Sequence, residues 1–519
     1  MTATADDGDH ATDPSSQQTC PSPESGRGER TGRIVIVGAA GSGILAAASW
    51  VSGWLPPGTN TPLPAFLHTA VPGRILLTTL ILVGGLLLVG AWLALGTRLP
   101  KLPDPKRSLR AALLAWALPL ALAAPMLSRD VFSYYAQGLL LADGVDPGTV
   151  GVSALPDWRS TGADPLWSAR PSPYGPVALG VQAAIAEASA DEPLIAVALF
   201  RVVSLISLLG LVIGLRRLVV HTGVNPGPVI WLVALNPLVL LQGVLAIHND
   251  LWLVTCIVWA FVLALQRQAL LGCIVAGLAG SIKPVALICL PFIALLLRPP
   301  RDGLAWRTAY AIVGVSVGAA VVAVTVILTG TGYSWLGATP PTDITWTWLA
   351  PVSSLAFALG WIAMLAGPAT SRATMSAVQY AGLILALGLT VWLWLRSDRH
   401  RAVRNAGLAL MSLVLLSPIV QPWYLLWGLP LVIAAGIGVR WTAALILGSV
   451  WLSLFSLFTS SATRTVYPSA GDDLLLPFLA LALTAAVGAA VRITGRGVES
   501  LLDLPSLRAI SVPHPDGAA

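Results

Sequence analysis

The stretch Ser128–Arg129–Asp130–Val131–Phe132–Ser133–Tyr134–Tyr135–Ala136–Gln137–Gly138 stands where a long apolar run ends and the longest polar interruption of the chain begins. That interruption carries Asp143, Asp146, Asp157, Asp164 and Arg170, and it closes at Pro173–Tyr174–Gly175–Pro176. Almost everything around it is apolar. Of 519 residues, 56% are hydrophobic and 10% charged, with a mean hydropathy of +0.79. A soluble domain carries about 25% charged residues, so the composition describes an all-α polytopic membrane protein built as one integrated helical domain. A carboxylate at the lip of a span is costly near hydrocarbon and is kept for function or firmly paired. Asp130 is therefore the candidate catalytic residue.

The net charge of +6 rests on 27 Arg and three Lys, mostly in short loops. Charge so placed sets topology and gives no reason to expect nucleic acid as a partner; membrane lipids are the expected surroundings. Cys20, Cys256, Cys273 and Cys289 show neither metal spacing nor a disulfide pattern. Residues 1–32 are polar and aperiodic, and read as a disordered cytoplasmic tail. About thirty polar residues ahead of the first apolar core argue against a cleaved signal peptide.

Basic residues orient the rest. Arg27, Arg30 and Arg33 precede the first span (34–52), and Arg98, Lys101, Lys106, Arg107 and Arg110 follow the second (75–95). Both clusters belong in the cytoplasm. The third span (110–127) then runs outward and delivers Asp130 to the external face. The same rule makes 173–189 and 349–366 external juxtamembrane helices, since counting either as a span would put arginines outside. Residues 269–297 are too long for one span and break at Lys283–Pro284. The expectation is about fourteen transmembrane helices in a domain spanning 33–496, the last at 474–494. External loops run 128–193 and 331–375, the tail is 497–519, and both termini are cytoplasmic.

This topology gathers the polar residues of the spans at one face. Asp130 follows span three, and His248–Asn249–Asp250 and Gln421–Pro422–Trp423–Tyr424 occupy external turns. Lys283 breaks its helix pair, Arg201 lies in the outer half of its span, and Arg129 and Tyr174 flank the loop. Such a set suits transfer from a lipid-linked phosphosugar. Arg129, Arg201, His248 and Lys283 are candidates to hold the leaving phosphate, and a carboxylate takes the proton of the attacking hydroxyl. Aromatic rims suit sugar faces. Plainer readings stand beside these. Asp130 pairs with Arg129 or caps a helix, Lys283 snorkels, and His248 and Asp250 cap a turn. Trp423 and Tyr424 belong to an aromatic belt, Arg201 pairs with a loop carboxylate, and Asp143 and Asp146 form turns.

The stretches SRDVFSYYAQGLLLADGVDP (128–147), PSPYGP (171–176), LNPLVLLQGVLAIHND (235–250), SIKPVALICLPF (281–292) and SPIVQPWYLLWGLP (417–430) carry a resemblance. In this order they resemble the polyprenyl-phosphate-mannose-dependent α-1,6-mannosyltransferases of the GT-C class (MptA/MptB type). That family builds the mannan backbone of lipomannan and lipoarabinomannan in the cell envelope of actinobacteria. The sequence departs from the family pattern at Gly148, Gln242 and Pro284. The resemblance implies a GT-C fold, Asp130 as the base, and an inverting displacement from polyprenyl-phosphate-mannose to a mannan or glycolipid acceptor outside the plasma membrane. It requires no cofactor beyond that lipid-linked donor, and no metal-ligand set is evident. Tyr134, Gln137, Tyr174, Asn249, Asp250, Gln421, Trp423 and Tyr424 are the expected sugar and acceptor contacts. The alternatives are transfer of arabinose or glucose from a lipid carrier, or a flippase, which would place its charges across the bilayer and not at one face.

Overall fold

The computed structural model describes residues 23–59, 67, 70–297, 303–338, 349–458 and 480–486. Among these residues the chain is helical, without strands. In chain order the helices are α1 (Pro23–Ser52), α2 (Val71–Arg98), α3 (Pro105–Ala121), α4 (Asp130–Ala142), α5 (Pro176–Ala188) and α6 (Pro193–Thr222). They continue as α7 (Pro226–Val233), α8 (Pro237–Leu245), α9 (Asp250–Leu265), α10 (Ala269–Gly280), α11 (Pro284–Ala294) and α12 (Leu304–Thr329). The last are α13 (Pro351–Ala366), α14 (Pro368–Leu395), α15 (Ala402–Leu416), α16 (Pro422–Ala434) and α17 (Val439–Phe458).

Proline sets many of these starts. It lacks an N–H that the first helical turn does not need, and it forces the preceding residue out of helical geometry. Asn236 obeys this ahead of Pro237: it is extended (φ −57°, ψ 126°), and its side chain accepts from Leu238 N–H. The result is a bend of 47° between α7 and α8. Lys283 is likewise extended (φ −142°, ψ 134°) ahead of Pro284, so the predicted break falls between α10 and α11. The carbonyls freed there are not wasted. Ile282 and Ser281 accept from Gly175 and Val177 N–H at 3.1 and 2.9 Å, which fastens the start of α5 to the break.

Among the described residues six helices (α1, α2, α6, α12, α14 and α17) are long and apolar enough to cross a membrane, or seven spans with the bent α7–α8 pair. The chain is membrane-embedded. The other predicted crossings are shorter: α10, with 12 residues, rises roughly 18 Å against a hydrocarbon core of about 30 Å. Two boundaries are corrected. Helix α1 begins at Pro23, so the end of the predicted 1–32 tail is helical. Helix α14 begins at Pro368, inside the predicted 331–375 loop, because Pro368 starts a helix that then runs unbroken to Leu395. Residues 339–348 of the predicted 331–375 loop, most of the predicted 474–494 span and the 497–519 tail lie outside the described residues.

Large buried aromatics tie the bundle together. Trp92 on α2 and Trp231 on α7 stack at 5.2 Å, and each indole N–H donates to the other's carbonyl at 2.8 Å. Trp116 on α3 donates to Val35 O on α1 at 3.0 Å. Where α1 meets α2, a Cβ on Gly41 would sit 2.6 Å from Gly84 O, so the crossing needs glycine. Gly138 does the same for α4 against α5, where a Cβ would strike the Gln182 backbone. The polar segment between α4 and α5 is anchored by Asp146, whose Oδ2 accepts from Ser334 Oγ at 2.8 Å and Gly332 N–H at 3.1 Å. The turn-forming reading of Asp146 also holds, since its Oδ1 accepts from Gly148 N–H at 2.8 Å.

Candidate active site

A cavity of about 1130 Å³ opens where these breaks converge. Its wall includes Arg129, Asp130, Tyr174, Lys283, Gln421, Trp423 and Tyr424, all anticipated from sequence and contributed by separate segments.

Asp130 opens α4, with its backbone N–H held by Ser128 Oγ at 3.1 Å. Its side chain is 17% exposed, and Oδ2 lies 3.3 Å from Nδ1 of the fully buried His248. Burial pushes the Asp130 carboxyl up. The close approach and charge of His248, the Lys283 cation and Ser128 outweigh that push and hold it below the ordinary carboxylate value. The group is thus an ionised carboxylate facing a cavity, the form a general base needs. No ion pair joins it to the adjacent Arg129.

His248 is placed by the turn before α9. Leu240–Leu245 winds as a π-helical turn, and Ile247 adopts φ +60°. Trp423 then stacks on the imidazole at 3.6 Å and 20°. Trp423 thus covers the imidazole while Nδ1 faces Asp130, and His248 stands behind the cavity wall.

Asp250 is fully buried and carries two charge-assisted bonds. Its Oδ2 accepts from Lys283 Nζ at 2.7 Å and its Oδ1 from Trp427 Nε1 at 2.6 Å. Asp250, expected as a sugar contact, thus holds Lys283 from behind the cavity wall. Lys283 Nζ also sits over the rings of Tyr174 and Tyr424, at 5.4 and 5.8 Å. An ammonium has three donors, so two remain for a ligand. Arg129 donates through Nε and Nη2 to Gly162 O at 3.1 and 2.9 Å and lies 4.8 Å over the Trp54 ring. Three of its five N–H groups remain. Burial lowers the Arg129 pKa, opposed by Asp164. Burial and the Asp130 charge push the Tyr174 hydroxyl well above its usual value, so it stays a neutral donor.

Four more of the expected residues lie off the cavity wall. Arg201 is 4% exposed and away from the cavity wall. Its Nη1 donates to Leu120, Ala121 and Ala123 carbonyls at 2.7–2.8 Å; the Leu120 carbonyl also accepts from Ala123 N–H, and the other two are groups that the end of α3 leaves orphaned. Tyr134 packs edge-on to Tyr174 and Phe200 at 5.2 and 6.0 Å, behind the wall. Gln137 is buried and accepts from Ser172 Oγ at 3.0 Å. Asn249 is buried beneath the turn and does not line the cavity. All three sit on faces turned inward by helical or turn geometry, which residue type alone does not reveal.

Sequence reasoning missed Trp427, Trp54, Asp164 and Gln379, which also line the cavity. Trp427, three residues past Tyr424 and stacked on it at 4.2 Å, was the findable one. Gln242, a departure from the family pattern, also lines the wall and donates to Ser456 Oγ at 2.7 Å.

Comparison with known proteins follows the same lines. Residues 35–299 match the family model described as alpha-(1->6)-mannopyranosyltransferase, N-terminal domain, and residues 352–494 match the MptB C-terminal domain. Alpha-(1->6)-mannopyranosyltransferase A of Mycobacterium tuberculosis is 29% identical over 83% of this chain and 86% of its own length. The A enzyme of Corynebacterium glutamicum is 28% identical over 67% of this chain and 76% of its own, and the B enzyme 29% over 76% and 71%. No solved structure matches the chain.

Proposed function

The chain belongs to the alpha-(1->6)-mannopyranosyltransferase A/B family, a glycosyltransferase family, and from that premise we propose a specific reaction for the cavity. Mannose passes from polyprenyl-phosphate-mannose to a growing α-1,6-mannan or lipomannan-type acceptor, on the external face of the plasma membrane, with inversion. The acceptor's 6-hydroxyl oxygen attacks the anomeric carbon, and the bond from that carbon to the phosphate oxygen breaks. The hydroxyl proton goes to the Asp130 carboxylate, and the electron pair leaves with the polyprenyl phosphate. Arg129 and Lys283 stabilise the charge gathering on that phosphate. Tyr174, Gln421, Trp423 and Tyr424 shape the sugar pocket.

The observation that carries this reading is the shared wall: the Asp130 carboxylate and the Arg129 and Lys283 cations face one cavity. Such an arrangement suits simultaneous proton removal and phosphate departure. A GT-C architecture with about fourteen crossings, both termini cytoplasmic, belongs to the same reading. The shorter apolar helices α9, α10, α15 and α16 support it as further crossings.

The test offers polyprenyl-phosphate-mannose, its arabinose and glucose counterparts, and a nucleotide-linked mannose separately to the protein in nanodiscs with a short α-1,6-mannoside. Transfer from the lipid-linked mannose alone, yielding an α-linked product by NMR, is the expected result. Transfer from the nucleotide sugar, or a β-linked product, would contradict the proposal.

A further inference from the structure

Trp54, just past the end of α1, lines the catalytic cavity. Arg30 lies near the other end of the same helix, roughly 35 Å away at the helical rise per residue. There a second crevice, of about 410 Å³, opens between α1 and α2. Arg30, Arg33 and Arg98 crowd it, and Val37, Gly90 and Ala94 line its apolar length.

Two observations give the crevice a shape. Arg98 reaches from α2 toward α1, its Nη1 donating to Arg30 O at 3.3 Å, while Arg33 pairs with Glu29 at 2.5 Å. Among the described residues, three guanidinium groups thus line the crevice with one carboxylate beside them, and like charges so placed invite an anion. Independently, α1 and α2 touch at Gly41 and Gly84, yet a Cβ on Gly90 would meet no atom within 4 Å. The helices leave open, apolar-lined space directly beside the cations.

We propose that this crevice binds an anionic membrane phospholipid, its phosphate among Arg30, Arg33 and Arg98 and an acyl chain along Val37, Gly90 and Ala94. Guanidinium forks match phosphate oxygens in a way a point charge does not. Basic pockets between membrane helices attract acidic headgroups. The floor beside Gly90 separates a lipid from a free phosphate ion: only the lipid has a chain to lay there. The site is independent of the transfer reaction and stands or falls without it.

The test is native mass spectrometry of the full chain released from detergent, titrated with phosphatidylglycerol, phosphatidylcholine or inorganic phosphate. Wild type should retain phosphatidylglycerol over phosphatidylcholine, with affinity falling about fivefold for each of Arg30→Gln, Arg33→Gln and Arg98→Gln. Gly90→Leu should weaken phosphatidylglycerol with all charges intact, and Glu29→Gln should tighten it. These last two variants guard against misfolding, since one fills open space and the other predicts a gain. Equal phosphatidylglycerol retention in wild type and all variants would overturn the proposal. So would inorganic phosphate bound as tightly as the lipid and indifferent to Gly90→Leu.

Discussion

His248 Nδ1 stands 3.3 Å from Asp130 Oδ2, with Trp423 stacked on the imidazole's face. Three distant segments therefore meet at one carboxylate. The contact helps hold Asp130 ionised, and its loss has a defined sign. Lys283, Tyr174, Tyr134, Tyr424 and Asp250 also bear on Asp130 or its surroundings. Because the folded pKa is lowered, the ionised base is present above it and is lost as pH falls through it. In His248→Gln the acid limb of kcat should move to higher pH. An unmoved limb, read from kcat profiles at saturating donor, would remove His248 from this role.

Lys283 and Asp250 form the second relationship. Lys283→Met strands a buried carboxylate and should destabilise by about 3–5 kcal/mol. The double variant Lys283→Met with Asp250→Asn should recover much of that loss. Thermal unfolding of the four proteins in one detergent gives the cycle, and additivity would mean the two groups do not interact. Activity should stay low in the double variant, because the phosphate-facing cation is gone in either case.

Arg201 gives the opposite pattern. Arg201→Met frees the Ala121 and Ala123 carbonyls, while the Leu120 carbonyl keeps the Ala123 N–H, and each buried unsatisfied group costs about 1–3 kcal/mol. Melting temperature and yield should fall, while KM for the donor, measured on the folded fraction, should hold within about twofold. A tenfold rise in KM at unchanged stability would return Arg201 to the phosphate site.

Trp427→Phe keeps the stack on Tyr424 and removes the N–H that Asp250 accepts. A hydrogen bond to a charged group contributes about 1.5–3 kcal/mol, so stability should drop by that order in thermal melts. The clamp on Lys283 should loosen as well, seen as a fall in kcat greater than that of Trp423→Phe. Equal kcat in the two variants would contradict the clamp.

Much of this site was legible before the fold. Pro284 forces Lys283 to be extended, and that made the break between α10 and α11 legible, whereas the bend at Asn236–Pro237 emerges only in the fold. The place of Asp130 on the cavity wall was legible because a carboxylate at a span's edge needs a reason. The placement of Arg201 was not legible, because a buried cation looks alike in sequence whether it meets a phosphate or the carbonyls ending a neighbouring helix. Tyr134 and Gln137 follow Asp130 on α4, but the close Gly138–Gln182 crossing turns that helix so that their side chains face inward. Such rotation depends on packing partners far along the chain. Asp250 looked like a turn cap because its two donors, Lys283 and Trp427, come from breaks that only the folded chain brings together.

The most direct measurement is mannose transfer in membranes of a host lacking its own enzyme, comparing wild type with Asp130→Asn at matched protein levels. Asparagine keeps the shape and removes the base. Transfer should fall by about 10²–10⁴-fold, with donor KM little changed and the melting temperature close to wild type. Equal transfer by both proteins would contradict the account.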